Sequence, residues 1–185
     1  PLVGHSMGGT IALMLAARHP DAVSRIMVDD QRPVMGAVFG PPGTTSESVR
    51  ATADALRAQM AANTPEERAA RIEAMTAAMV RNATQRAIVR AEGLASDPET
   101  TANAFHELIV TDLRPELPAI TIPVTVLYVT PAGVPFTDAQ IDAVYKSAYT
   151  PLEGVKLVRI PDSAHFIMSD NPERFQAEMK AFLSD

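Results

Sequence analysis

The amino-acid sequence predicts an α/β fold with a mostly parallel sheet and an inserted block of four helices. Short apolar runs typical of buried strands alternate with helical segments toward both ends of the chain. Between them lies a long stretch rich in Ala, Arg, Glu and Met, which are mostly strong helix formers. The order β-α-β, four helices, β-α-β-α implies parallel strands. We therefore divide the chain into core residues 1–45, a helical cap at 46–112 and core residues 113–185.

The first core segment is predicted as strand, turn, helix and strand. Pro1-Leu2-Val3 forms the end of an apolar strand, and residues 10–19 form a helix that the next residue, a proline, ends. The β-branched run at 23–28 predicts the next strand, which stops at a pair of aspartates. Residues 31–45 carry Gly or Pro at six positions, which predicts a loop that leaves the core.

Four helices are predicted in the cap, with segment starts at Ser46, Thr64, Thr84 and Asp97. The second start is the best defined, because Thr64-Pro65-Glu66-Glu67 combines an N-cap Thr, a Pro at the first helical position and a capping-box Glu. Two apolar stripes have helical spacing, and we favour helix packing over pocket lining for both. They are Ile72, Met75 and Met79, and Phe105, Leu108 and Ile109.

The second core segment returns to the alternating pattern. Residues 122–129 predict a buried strand, followed by a loop with Pro and Gly and a helix at 138–149. Residues 155–160 predict the final strand. A closing helix begins at Asn171-Pro172, and its apolar face carries Phe175, Met179, Phe182 and Leu183.

Composition excludes several classes of function. The chain has 185 residues, 46% of them hydrophobic, with a net charge of −6 and no basic stripe, so nucleic acid is an unexpected partner. The absence of cysteine excludes disulfides, thiolate metal sites and a thiol nucleophile. No apolar run has the length of a membrane span. Any catalysis must therefore use oxygen or nitrogen groups, and we expect neither a cofactor nor a metal.

The most informative motif is Gly4-His5-Ser6-Met7-Gly8-Gly9, between the first strand and the first helix. A serine in the pattern G-x-S-x-G lies on a strained strand-to-helix turn that exposes its hydroxyl. Glycine allows the neighbouring backbone to come close, and we expect Gly4 and Gly8 to provide that space. A second motif, Asp162-Ser163-Ala164-His165-Phe166, follows the last strand and precedes a helix that begins with proline.

Together, the two motifs resemble those of the α/β-hydrolase superfamily, from its nucleophile strand to its C-terminal helix. The resemblance covers essentially the whole chain and implies a serine hydrolase in which Ser6 is the nucleophile and His165 the general base. It also implies that the backbone N–H of Met7 is the first donor of an oxyanion hole. His5 is then a spacer in the turn, while His19 and His106 lie at a helix end and in the cap, so none of these three is expected to be the base.

The catalytic acid departs from the commonest pattern of the superfamily. An Asp is usual after the strand that here ends at Tyr128-Val129, where this chain has Thr130-Pro131-Ala132-Gly133. Some members carry the acid one strand earlier, where Asp29 and Asp30 stand. We favour Asp29 as the first residue past the strand, and keep Asp30 and Asp138 as alternatives.

The implied activity is hydrolysis of a small or medium apolar ester through an acyl-serine intermediate, with the cap selecting the substrate. Two alternatives remain open. The same residues could cleave a lactone or a carbon-carbon bond, or the chain could be a ligand-binding member that has lost its acid. A fluorophosphonate that labels serine nucleophiles separates catalysis from binding.

The G-x-S-x-G turn, or nucleophile elbow, lies near residue 1, and its position there leads to a further expectation. In the resembled fold, the nucleophile strand has a second neighbour and a second oxyanion donor from an earlier segment. We therefore expect residues 1–185 to be a fragment of a longer protein, aggregation-prone and nearly inactive by itself. We expect a cytoplasmic location.

Overall fold

The computed structural model describes residues 1–40, 43–131, 133 and 135–184, which form two compact units. The core unit contains residues 1–33 and 113–185, and the helical unit contains residues 34–112. The helical unit thus begins before the predicted residue 46, because a 3₁₀ helix at Met35–Phe39 packs with the helices that follow. Pro41 and Pro42 of the first predicted loop, and Ala132 of the second, lie outside the described residues.

The core unit contains a parallel sheet of four strands, as predicted. The strands are β1 Leu2–His5, β2 Ile26–Asp29, β3 Val124–Tyr128 and β4 Lys156–Arg159. They lie in the order β1-β2-β3-β4, and each neighbouring pair is parallel. All residues of β2 and β3 are buried, as expected for inner strands covered on both faces. The carboxyl ends of all four strands therefore meet at one edge of the sheet.

Eight α-helices accompany the sheet in the described part of the chain. They are α1 Met7–Arg18, α2 Ser46–Ala62, α3 Pro65–Met79, α4 Ala83–Ala95, α5 Pro98–Val110, α6 Asp138–Tyr149, α7 Ile167–Asp170 and α8 Pro172–Ser184. Among them, no helix is long and apolar enough to cross a membrane.

The core packs on both faces of the sheet. Val28 and Val126 lie in a buried cluster with residues of α1 and α6, whereas Met27 and Leu127 lie in a second cluster with residues of α7 and α8. This division follows from the period of two along a strand, which sends successive side chains to opposite faces. Of the apolar face predicted for α8, Phe182 is buried, but Leu183 is exposed.

The helical unit consists of α2 to α5, and each helix begins within one residue of a predicted start. Thr45, Thr64, Asn82 and Asp97 cap the four N-termini through their side chains. Val49 and Ala53 of α2 pack against Ile109 of α5 in a small buried cluster. Of the two predicted stripes, Ile72 and Ile109 are buried, whereas Met75 is exposed.

Candidate active site

The nucleophile elbow has the strained backbone that the motif predicts. Ser6 lies between the last residue of β1 and the first residue of α1, with φ 53° and ψ −122°. This left-handed conformation is unfavourable for a residue with a side chain, and such strain is concentrated at functional sites. The N–H of Ser6 donates to the carbonyl oxygen of Asp29 at 2.9 Å, so the end of β2 holds the turn in place.

Of the two glycines expected to provide space at the elbow, the structure confirms Gly4 but not Gly8, and it adds Gly9. A Cβ on Gly4 would overlap the backbone carbonyl of Gly8, so Gly4 allows α1 to begin directly against β1. A Cβ on Gly9 would lie 2.8 Å from Cγ1 of Val28, so Gly9 allows α1 to approach β2. A Cβ on Gly8 would meet no atom within 4 Å, so the prediction that Gly8 provides space is wrong. It is the backbone of Gly8, not its missing side chain, that makes the contact.

Alanine substitutions should separate these two glycines. Gly4→Ala forces two backbone segments apart, and we expect it to lower the free energy of unfolding by about 3 kcal/mol or more. Gly8→Ala adds a methyl group in open space near the start of a helix, where alanine is favourable, and should leave stability within about 1 kcal/mol. Thermal unfolding of both variants is the measurement. Equal melting temperatures would contradict the assigned contact.

His165 is held by Asp30. Its Nδ1 lies 2.7 Å from Oδ2 of Asp30, and the two side chains are 20% and 10% exposed. A carboxylate can only accept, so this bond places the proton of a neutral imidazole on Nδ1 and leaves the lone pair on Nε2. A base with its free nitrogen on Nε2 is what a serine nucleophile requires.

The other oxygen of Asp30 is also occupied. Oδ1 accepts from the hydroxyl of Tyr145 at 3.0 Å and from the backbone N–H of Val129 at 3.2 Å. Burial, and next the charge of Asp30, raise the pKa of Tyr145 well above its usual value, so the phenol keeps the proton that it donates. Val129 directly follows β3, so the chain just before the position that lacks the usual acid supplies an amide that binds Asp30, the residue after β2.

The expectation that Asp29 pairs with His165 is wrong. We placed Asp29 past the end of the strand, but β2 includes it, so its side chain stays on the face of the sheet that carries Met27. Asp30 has φ 49°, and this turn carries its carboxylate toward His165. Asp138 is not the partner either, because it pairs with Arg159 and accepts from the Thr130 hydroxyl.

Asp29 is a buried carboxyl group. It is 0% exposed, and neither of its oxygens has a hydrogen-bond partner among the described residues. Burial, and next the negative charge of Asp30, raise the pKa of Asp29 to about 8. Asp29 is therefore mostly protonated at neutral pH, and a neutral carboxylic acid could not stabilise an imidazolium as Asp30 can.

Sequence reasoning missed the two groups that support Asp30. Tyr145 belongs to the buried face of α6, together with Ile141 and Tyr149 at spacings of four residues. That spacing predicts a buried tyrosine, and buried tyrosine hydroxyls usually find a partner. The sequence carries no signal for the partner itself, since Asp30 is 115 residues away.

The remaining predicted residues divide between the two units. Met7 is the first residue of α1, so its N–H is one of the first-turn amides that have no acceptor within the helix. Its use as an oxyanion donor stays a prediction. His19 lies at the C-terminus of α1, and His106 contacts Asp54 and Glu107 within the helical unit. In the described part of the chain, no group of three or more His, Asp or Glu residues is arranged to hold a metal ion.

Comparison with known proteins shows what the chain is similar to in sequence and fold. Residues 2–178 match the alpha/beta hydrolase family. The chain is similar to the enol-lactonase from Burkholderia xenovorans LB400, with a TM-score of 0.75 and 22% identity over 99% of this chain and 65% of that one. It is also similar to the esterase EaEST from Exiguobacterium antarcticum, with a TM-score of 0.74 and 21% identity over 99% of this chain and 66% of that one.

A third similar structure is a bromoperoxidase from Bacillus anthracis, with a TM-score of 0.73 and 19% identity over 99% of this chain and 66% of that one. No curated protein matches the chain. The chain spans 65% and 66% of the three solved proteins described above. At these identities, the likeness establishes the fold, and function depends on the side chains of the site.

Proposed function

Because the chain belongs to the alpha/beta hydrolase family, we propose that it acts as a serine hydrolase on carboxylic esters, without a metal or a cofactor. The observation that supports this most strongly is the 2.7 Å hydrogen bond between Asp30 and His165, together with the strained elbow at Ser6. A nucleophile, a base and an acid that orients the base are the three groups of a serine triad, and here they come from three separate segments.

In the proposed reaction, Nε2 of His165 takes the proton of the Ser6 hydroxyl while Oγ attacks the ester carbonyl. The negative charge that develops on the carbonyl oxygen is stabilised by the N–H of Met7. The C–O bond to the alcohol then breaks, and His165 passes its proton to the leaving oxygen. Water, deprotonated by His165, then attacks the carbonyl carbon of the acyl-Ser6 ester. The bond between that carbon and Oγ of Ser6 breaks, His165 returns the proton to Oγ, and the carboxylic acid is released. Asp30 stays ionised throughout and stabilises the imidazolium.

The structure supports lactone hydrolysis better than ligand binding without catalysis as an alternative function. A lactone is a cyclic ester that the same residues could open, and one of the similar proteins is an enol-lactonase. The argument for a ligand-binding protein without a catalytic acid was the missing carboxylate after Val129. That argument is weaker now, because the carboxylate of Asp30 contacts His165 instead. We therefore keep lactone hydrolysis as the second candidate. The apolar acyl preference and the selecting role of the cap remain predictions.

A fluorophosphonate probe tests the proposal directly. We expect the full-length protein to react at Ser6, as identified by peptide mass spectrometry, and Ser6→Ala to abolish the labelling. Ser163→Ala is a matched control, because this serine lies in the loop at 160–166 that carries His165, here called the base loop, but its hydroxyl donates to the Pro161 carbonyl. Hydrolysis of p-nitrophenyl butyrate and of a five-membered lactone then ranks the two substrate classes. A folded protein that neither reacts with the probe nor cleaves either substrate would refute the proposal.

A further inference from the structure

His5 contacts the base loop from the nucleophile strand. It is the last residue of β1 and directly precedes Ser6. Its Nε2 lies 3.0 Å from the backbone oxygen of His165, and its ring centroid lies 4.6 Å from that of His165 and 4.7 Å from that of Phe166. In the sheet, β2 and β3 separate β1 from β4, after which the base loop follows. The His5 side chain thus joins two segments that the sheet keeps apart.

The direction of the hydrogen bond between His5 and the His165 carbonyl shows which ring nitrogen of His5 carries a proton. A carbonyl oxygen can only accept, so Nε2 of His5 must carry a proton and donate it. Burial, and next the nearby His165, lower the pKa of His5 to about 4, so the ring is neutral at neutral pH. A neutral His5 can donate this bond without placing a positive charge beside the imidazolium that His165 would form during catalysis.

The base is fixed from other sides as well. Asp30 holds Nδ1 of the His165 ring, and the carboxylate of Asp170 accepts from the backbone N–H of Ala164 at 2.8 Å. These contacts tie the base loop to β2 and to α7, but not to the strand that carries the nucleophile. Proton transfer requires hydrogen-bond distance between Ser6 and His165. A direct contact between β1 and the base loop would help to keep these two residues at that distance.

We propose that His5 is a positioning residue whose Nε2–H bond to the His165 carbonyl fixes the distance between the nucleophile and the base. The proposal rests on the proposed function and assigns His5 no proton-transfer step. It corrects our interpretation of His5 as a spacer. Loss of the bond would let the base loop move relative to the elbow, and a displacement of about 1 Å can cost about 100-fold in rate.

Two variants separate the hydrogen bond from the packing of the ring. His5→Phe keeps an aromatic ring against Phe166 but has no donor. His5→Gln has a side-chain N–H₂ group that can donate to the same carbonyl. We expect His5→Phe to lower kcat for p-nitrophenyl butyrate and the rate of fluorophosphonate labelling by about 10- to 100-fold, with KM nearly unchanged. His5→Gln should recover most of the loss, and His19→Phe at the exposed end of α1 is the control.

A second measurement does not depend on activity. The Nδ1 proton of His165, bonded to Asp30, should give a resolved downfield proton resonance in NMR spectra of the full-length protein. We expect this resonance to be retained in His5→Gln and broadened or lost in His5→Phe. Wild-type protein that shows it but cleaves no ester would refute the proposed function, and the two variants would still decide the role of His5.

Two results would overturn the role of His5. The first is a His5→Phe protein with wild-type labelling rate and an unchanged resonance. The second is equal impairment of His5→Gln and His5→Phe in proportion to their losses in melting temperature, which would indicate a contribution to stability alone.

Discussion

Replacing Asp30 by Asn is expected to lower kcat for ester hydrolysis by about four orders of magnitude. The reason is the wrong tautomer as well as the lost charge. The hydroxyl of Tyr145 and the N–H of Val129 both donate to Oδ1 of Asp30, so they would hold the amide oxygen of an asparagine. Its N–H₂ group would then face Nδ1 of His165 as a donor. That forces the ring proton onto Nε2, where the base must be free.

The controls for this prediction are the other two aspartates that the sequence allowed. Asp138→Asn removes a partner of Arg159 on the surface and should change kcat by less than tenfold. Asp29→Asn should cost far less than Asp30→Asn, because Asp29 makes no side-chain hydrogen bond to the described part of the site. Steady-state kinetics of the three variants decide the question. An Asp30→Asn protein with more than a tenth of wild-type kcat would refute the assignment of the acid.

The second large effect concerns stability and the buried Asp29. The pKa of Asp29 is about 8 in the folded protein, whereas the ordinary value of an exposed Asp is 3.8. Between pH 3.8 and about pH 8, the folded state therefore binds one proton more than the unfolded state. Stability therefore falls as pH rises through this window, and the loss is complete above about pH 8. At about 1.4 kcal/mol per pH unit, the loss between about pH 5 and 8 is on the order of 4 kcal/mol.

Asp29→Asn should remove this dependence, because the amide has the same shape and does not ionise. We expect the free energy of unfolding of the variant, relative to wild type, to increase from pH 5 to pH 8 by that amount. Urea denaturation at several pH values measures it. Parallel pH profiles for the two proteins would show that Asp29 ionises normally in the folded state and that its carboxylate is solvated or paired.

Sequence alone was sufficient for the parts of the fold that local chemistry determines. The helix starts in the helical unit follow from N-terminal capping residues such as Thr64, and the strands of the sheet follow from apolar runs between turns. The elbow at Ser6 also depends on neighbours in sequence, so its strained backbone was predictable from the glycines around it. The parallel direction of the strands follows from the alternation of helices and strands.

The identity of the acid was not predictable in this way. Asp29 and Asp30 are neighbours whose side chains point to opposite sides of the chain. If β2 ended one residue earlier or later, the two side chains would exchange these directions. What decides between them is the left-handed turn at Asp30 and the two donors that bind its carboxylate, one directly after β3 and one on α6. Those donors are distant in sequence, so no local pattern identifies them.

The position of Asp30 directly after β2 also affects the order in which the proposed site is assembled. Ser6 lies within the short β1-α1-β2 unit, and Asp30 directly follows it. Contacts in this unit join residues that are near in sequence, so they form quickly. His165 joins Asp30 across 135 residues, so this contact carries a larger cost of loop closure. During synthesis, Ser6 and Asp30 leave the ribosome well before His165. An unfinished chain would therefore hold two of the three proposed catalytic groups, and we expect it to stay inert until the loop of His165 docks.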